Sequence, residues 1–121
     1  MRIANIEPGC VATPIFEKAD IDSAIENLPP GFPYKQPVAR LVHVFQQGLK
    51  DPALAQDVAD VVLEAIQTDE PRLRYPVGKD AHQVLDGLGS LSDDERLALL
   101  GEADDGVYQQ RMGALMPYLR A

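Results

Sequence analysis

The sequence predicts an α/β fold with only two strands, parallel to each other and separated by a long helical excursion. Three observations carry this reading. Residues 2–6 (Arg-Ile-Ala-Asn-Ile) form a short strand signal, closed by Glu7-Pro8-Gly9. Residues 72–77 set Leu73, Tyr75 and Val77 against Arg72, Arg74 and Pro76, which is the period of a strand with one apolar face. Everything between them has the spacing of helix and loop. A strand–helix–strand order with so long a crossover makes the strands parallel and the connection right-handed. Two parallel strands make a poor sheet alone, because parallel sheets are covered on both faces and have more members. The 121 residues would suit one small domain by length. Strand counting favours a portion of a larger doubly wound sheet.

The helices follow in order. Residues 14–37 are the least regular, with Ile21, Ala24, Ile25 and Leu28 spaced for a short helix and a proline-rich loop over residues 27–37. Val38, Leu41, Val42, Phe45 and Leu49 then form a helical stripe, with Pro37 suited to the first turn and Gly48 near the end. Asp51-Pro52 reads as an N-cap followed by proline at the first helical position, opening a stripe of Leu54, Val58, Val61, Val62, Ala65 and Ile66. Ser92 and Glu95 match a capping box before Leu97, Leu99 and Leu100, and Gly101 ends that helix. A last helix carries Tyr108, Met112, Leu115 and Met116 on one face and stops at Pro117. Pro76 cannot donate to a ladder, so the second strand should lie at or end on a sheet edge.

Composition excludes several classes. Eleven Lys and Arg against 19 Asp and Glu give a net charge of −8, whose field repels nucleic acid. No apolar window reaches the roughly 18 residues of a membrane span, and the N-terminus lacks the apolar core of a signal peptide. One cysteine, Cys10, makes no intramolecular disulfide, which fits a reducing cytoplasm. His43 and His82 are the two histidines and stand far apart in the chain, so no metal-ligand cluster is expected.

The run Asn5-Ile6-Glu7-Pro8-Gly9-Cys10-Val11-Ala12-Thr13-Pro14 resembles the segment after the sixth strand of short-chain dehydrogenases/reductases, where Pro-Gly, a variable residue, Val or Ile, another residue and Thr follow in turn. Asp57-Val58-Ala59 with its apolar stripe, leading into Arg74-Tyr75-Pro76-Val77-Gly78-Lys79-Asp80-Ala81, is similar to the family's late helix and seventh strand. The resemblance covers roughly residues 2–82 and keeps the family's order. It implies the C-terminal portion of a Rossmann-like doubly wound sheet. It divides the chain into a strand and cofactor-edge turn (1–13), a helical substrate lobe (14–52), a helix and last strand (53–82) and a helical C-terminal tail (83–121). It also implies that Pro8, Gly9, Val11 and Thr13 border the nicotinamide end of NAD or NADP, and that Phe16, Phe32 and Tyr34 lie in the lobe facing a small-molecule substrate.

Other family marks are missing. No Gly-rich first turn occurs, and the Tyr-x-x-x-Lys pair is absent from its expected helix. Tyr75 and Lys79 have the spacing, but Tyr75 belongs to the last strand beside Pro76, so no catalytic residue is assigned. The resemblance therefore implies an alcohol or carbonyl oxidoreductase of which this chain supplies one part, inactive and without cofactor when alone. The expected partner is another copy or a complementing N-terminal segment. A second reading is a small, acidic, helix-rich interaction module without enzymatic activity. Among single residues, Cys10 reads as a packing residue, His43 as solvated opposite its helix's apolar stripe, and His82 as part of a loop. Asp93-Asp94-Glu95 and Asp104-Asp105 read as acidic first turns that favour helix dipoles. Phe45 could face substrate or simply pack.

Overall fold

The computed structural model describes residues 1–20, 23 and 25–120. It is a mixed α/β structure, mostly helical, with one two-stranded parallel sheet. Strand β1 is Asn5–Pro8 and β2 is Arg74–Val77, paired in register from Asn5 with Arg74 to Pro8 with Val77. Helix α1 is Ile15–Ala19, α2 is Lys35–Gly48 and α3 is Ala55–Gln67. After β2 come α4 (Lys79–Gly89), α5 (Asp93–Leu100), α6 (Asp105–Leu115) and a 3₁₀ turn over Pro117–Arg120. Among the described residues no helix is long and apolar enough to cross a membrane.

Both strands exist, with shifted limits. β1 begins at Asn5 rather than residue 2, because only from there does β2 lie alongside: the Asn5 N–H donates to the Leu73 carbonyl at 2.7 Å and the Gly9 N–H to the Val77 carbonyl at 2.9 Å. The alternation of a parallel ladder turns residues 5, 7 and 9 toward β2, so Pro8 falls on the outer side, where its missing N–H breaks no bond. The strand thus runs through the Glu7-Pro8 pair that its sequence offers as a stop. In β2 the same alternation puts Pro76 outward. Each outer edge thus keeps one donor, Arg74 on β2 and Ile6 on β1. Tyr75 and Val77 are buried as their alternation predicts, but Leu73 is 62% exposed because it lies just before the paired segment.

The helix limits are largely those expected, with two corrections, the start of α3 and the place of His82. α3 starts at Ala55, three residues after Pro52, and the Asp51-Pro52 pair does not cap it. Leu54 occupies the cap position, and the Asp57 carboxylate accepts its N–H at 2.7 Å. The expected helix of Ile21, Ala24, Ile25 and Leu28 falls partly on residues 21, 22 and 24, outside the described residues, while Ile25 lies in a turn. His82 belongs to α4 and not to a loop, its N–H bonded to the Gly78 carbonyl at 3.3 Å. The Ser92–Glu95 box forms as read: Ser92 N–H donates to Glu95 Oε2 at 2.8 Å and the hydroxyl accepts from Glu95 N–H at 3.3 Å.

The segment read as a helical tail holds the best-buried cluster, Leu99, Tyr108, Met112 and Met116, flanked by Val84, Leu88 and Leu119. α2 joins it through Arg40, whose guanidinium lies 3.9 Å from the Tyr108 ring centre. The same group donates to Asp105 Oδ1 at 2.8 Å and to the Glu102 carbonyl at 2.7 Å. On the opposite side, α3 buries only Ala65 fully, and Leu54, Leu63 and Ile66 stay largely exposed. Replacing Arg40 by Ala strands two acceptors and uncovers Tyr108. It should lower unfolding stability by about 1–3 kcal/mol at unchanged urea slope. Removing Arg72, whose 2.5 Å pair with Glu64 is exposed, should cost less than about 1 kcal/mol in the same measurement.

Candidate functional site

The two strands end side by side, and the chain leaves them in different ways. After β2, Gly78 takes φ 95°, a conformation open to glycine, and turns the chain into α4. Asp80 becomes the second residue of that helix, where a carboxylate suits the positive end of the dipole. Its side chain reaches back across the strand ends, and Oδ2 accepts the Cys10 N–H at 2.6 Å. This approach needs a bare backbone at Gly9, since a Cβ there would overlap the Asp80 carboxylate. Gly48, closing α2, makes similar room: a Cβ would stand 2.5 Å from Cys10 Sγ and 3.2 Å from Asp80 Oδ2. The turn after β1 is further held by an isolated parallel bridge between Val11 and Ala53. There Ala53 N–H donates to the Cys10 carbonyl and Ala12 N–H to the Ala53 carbonyl, each at 2.9 Å.

Asp80 is 8% exposed, and its Oδ1 has no partner among the described residues. Glu7 is similar in one respect. Its Oε1 accepts from Asn5 Nδ2 at 2.6 Å and from Arg74, while Oε2 is buried without a partner. Both residues line a cleft of about 350 Å³ between the strand ends, α2 and α4, walled by Val44, Phe45, Val84 and Leu85, with Tyr118 at its border. Burial, then the charge and hydrogen bonding of Asp80, push the Cys10 thiol up to about 11. The thiol stays protonated at neutral pH and is a packing group, with Sγ 3.9 Å from the Phe45 carbonyl. Burial, reinforced by the nearby Asp80, Cys10 and Tyr108, likewise raises the Tyr118 phenol to about 12.

The residues singled out from sequence separate into two sets. Pro8 and Gly9 line the cleft, and Val11 sits half-buried in the adjacent bridge. Thr13 is exposed and caps nothing, since Pro14 takes the cap position of α1 without a side-chain bond. Phe16, Phe32 and Tyr34 do not line this cleft. Phe16 stacks on Phe45 with ring centres 5.5 Å apart, and Phe32 meets Tyr34 edge-on at 5.8 Å. Phe45 itself both packs and faces the cleft. Tyr75 is buried with its hydroxyl accepting the Arg72 N–H at 3.0 Å, whereas Lys79 is exposed, 3.7 Å from Asp51.

His43 is corrected from a solvated surface residue to a half-buried one. It lines a second cavity of about 310 Å³ between α2 and α6 with Arg40, Gln47 and Tyr108. The face opposite a helix's apolar stripe is not solvent when a later helix packs there. Among the described residues no group of three or more His, Cys, Asp and Glu comes together. Asp80 is the residue that motif reading passed over. Its signal is the Gly-x-Asp sequence after a strand together with glycines at 9 and 48, which sequence order alone does not bring together.

Compared with protein-family models, with curated proteins and with solved structures, the chain matches none.

The raised Cys10 value has a definite pH consequence. Below its ordinary value of 9.0 the thiol is protonated in folded and unfolded chains alike and adds no pH dependence. As pH rises from 9.0 toward about 11 the unfolded chain loses this proton first, so stability falls across that window. Urea unfolding followed from about pH 8 to about pH 11 should show the decline, and Cys10→Ala should make it shallower.

Proposed function

We infer that the chain is the C-terminal part of an NAD(P)-dependent oxidoreductase of the short-chain dehydrogenase/reductase type, acting on an alcohol or carbonyl compound. The observation that carries this reading is the sheet. A parallel pair leaves two outer edges, each with one free backbone donor beside a proline (Ile6 with Pro8 on β1, Arg74 with Pro76 on β2), and a Pro-Gly turn at the carboxyl end where ligands bind in open α/β sheets. Exposed Ile3 and Ile66 belong to the N-terminal segment and to the end of α3 that it meets, where Arg2 donates to the Ile66 and Thr68 carbonyls at 3.2 and 2.9 Å. Further strands of a Rossmann-like sheet would cover them.

In that enzyme Pro8, Gly9, Val11 and Thr13 would border the nicotinamide end of the cofactor, which supplies the hydride chemistry. The exposed Thr13 hydroxyl is open to such an approach, whereas beside Gly9 the Asp80 carboxylate fills the place of a side chain. The phosphate-holding turn and the proton-transferring Tyr and Lys would come from outside residues 1–121, and residues 14–52 would shape the substrate side. One unpaired, buried thiol suits a reducing compartment such as the cytoplasm. A second reading, a helix-rich interaction module, is favoured by the separate buried cluster of α4–α6 and by the exposed apolar side of α3.

The coding DNA directly upstream, read in the same frame, tests the first reading. A Gly-rich strand–helix turn followed by Tyr-x-x-x-Lys supports it, and an unrelated domain overturns it. The isolated chain titrated with NADH or NADPH should show no micromolar binding by fluorescence and no dehydrogenase turnover. Micromolar binding, or any turnover, would refute the claim that it is only one part of the enzyme.

A further inference from the structure

The cleft at the strand ends has a chemical character of its own, independent of the reading above. Its walls are apolar: Val44 and Phe45 from α2, Val84 and Leu85 from α4. Its charged members are Glu7, which is paired with Arg74, and Asp80, which also borders a smaller cavity with Lys50 and Lys79. A carboxylate removed from water must be matched by donors or it is strongly destabilised. Asp80 is more than nine-tenths buried, yet only Oδ2 is matched, by the Cys10 N–H, and Oδ1 has no protein donor. Glu7 Oε2 is a second buried acceptor in the same state.

We propose that this cleft binds a small organic cation, a primary ammonium group on an apolar body, with Asp80 Oδ1 as the acceptor of its N–H and Glu7, whose other oxygen is paired with Arg74, at its border. The size suits the assignment, because about 350 Å³ is at the lower end of small-molecule sites. An anion would meet two carboxylates. A metal ion would need more ligands than the described residues bring together. A charged donor makes a stronger bond to a carboxylate than a neutral one does, so an amine should exceed an isosteric alcohol.

The test is an amide-resolved NMR titration of the whole chain at pH 7 and fixed ionic strength, using benzylamine, benzyl alcohol and benzoate. Benzylamine should shift the Gly9, Cys10 and Ala81 amides saturably, with affinity about tenfold above benzyl alcohol. Benzoate should leave them unmoved. Asp80→Asn should abolish the preference for the amine. Should that variant unfold through loss of the Cys10 clamp, Glu7→Gln retains the clamp and should weaken benzylamine about two- to fivefold. Equal binding of amine and alcohol, no saturable shift with benzylamine, or a preference unchanged in a folded variant would each overturn the proposal. In those cases Asp80 Oδ1 is simply hydrated.

Discussion

The hydrogen bond from the Cys10 backbone to Asp80 organises the strand ends. It joins positions 70 residues apart in the chain, and both neighbourhoods are shaped to permit it. Gly9 and Gly48 withhold side chains that would block the carboxylate or crowd Cys10, and Gly78 supplies the backbone angle that starts α4 in the right place. A carboxylate at the first turn of a helix is already favoured by the dipole. Here the same charge also holds the turn after β1, so one side chain fixes the relation of two loops, a helix and the sheet.

A second clamp does comparable work at the far side. Arg40 meets Asp105, the Glu102 carbonyl and the Tyr108 ring together, tying α2 to the turn between α5 and α6. The cleft of Glu7 and Asp80 is therefore walled by α2, which is held by Arg40, and by α4, which is held by Asp80. Packing between these anchors is loose. An apolar cavity of about 360 Å³, lined by Leu41, Val44, Val84 and Met112 among others, separates α2 from the C-terminal helices and leaves Leu41 half in water. Polar anchors rather than apolar contact set where α2 stands.

Most local signals in the sequence are faithful guides to local structure, although Asp51-Pro52 does not cap α3, whose cap position falls to Leu54. The Ser92–Glu95 box, Gly101 and the Tyr108–Met112–Met116 face all specify a helix within a few residues of themselves, and each forms as read. The parallel pair was also legible from the alternation in β2 and the length of the crossover. What escaped depends on distant neighbours. Proline in β1 reads as a stop until the ladder's alternation puts it on the outer edge. His43 reads as solvated until α6 comes to face it across a cavity. Asp80 reads as one more acidic first-turn residue until Cys10 arrives beside it. Thr13, Phe16, Phe32 and Tyr34 were chosen on likeness of pattern, and the cleft forms without them.

The span between Cys10 and Asp80 also bears on the order in which the molecule is assembled. Contacts within residues 79–120 link near neighbours and close small loops, whereas the sheet and the clamp must close a loop of some 70 residues first. Helices at the C-terminal end can therefore form early and wait. The cleft comes into being late, as the strands meet and Asp80 finds its donor. A chain caught before that step would carry its C-terminal helices and no cleft at the strand ends.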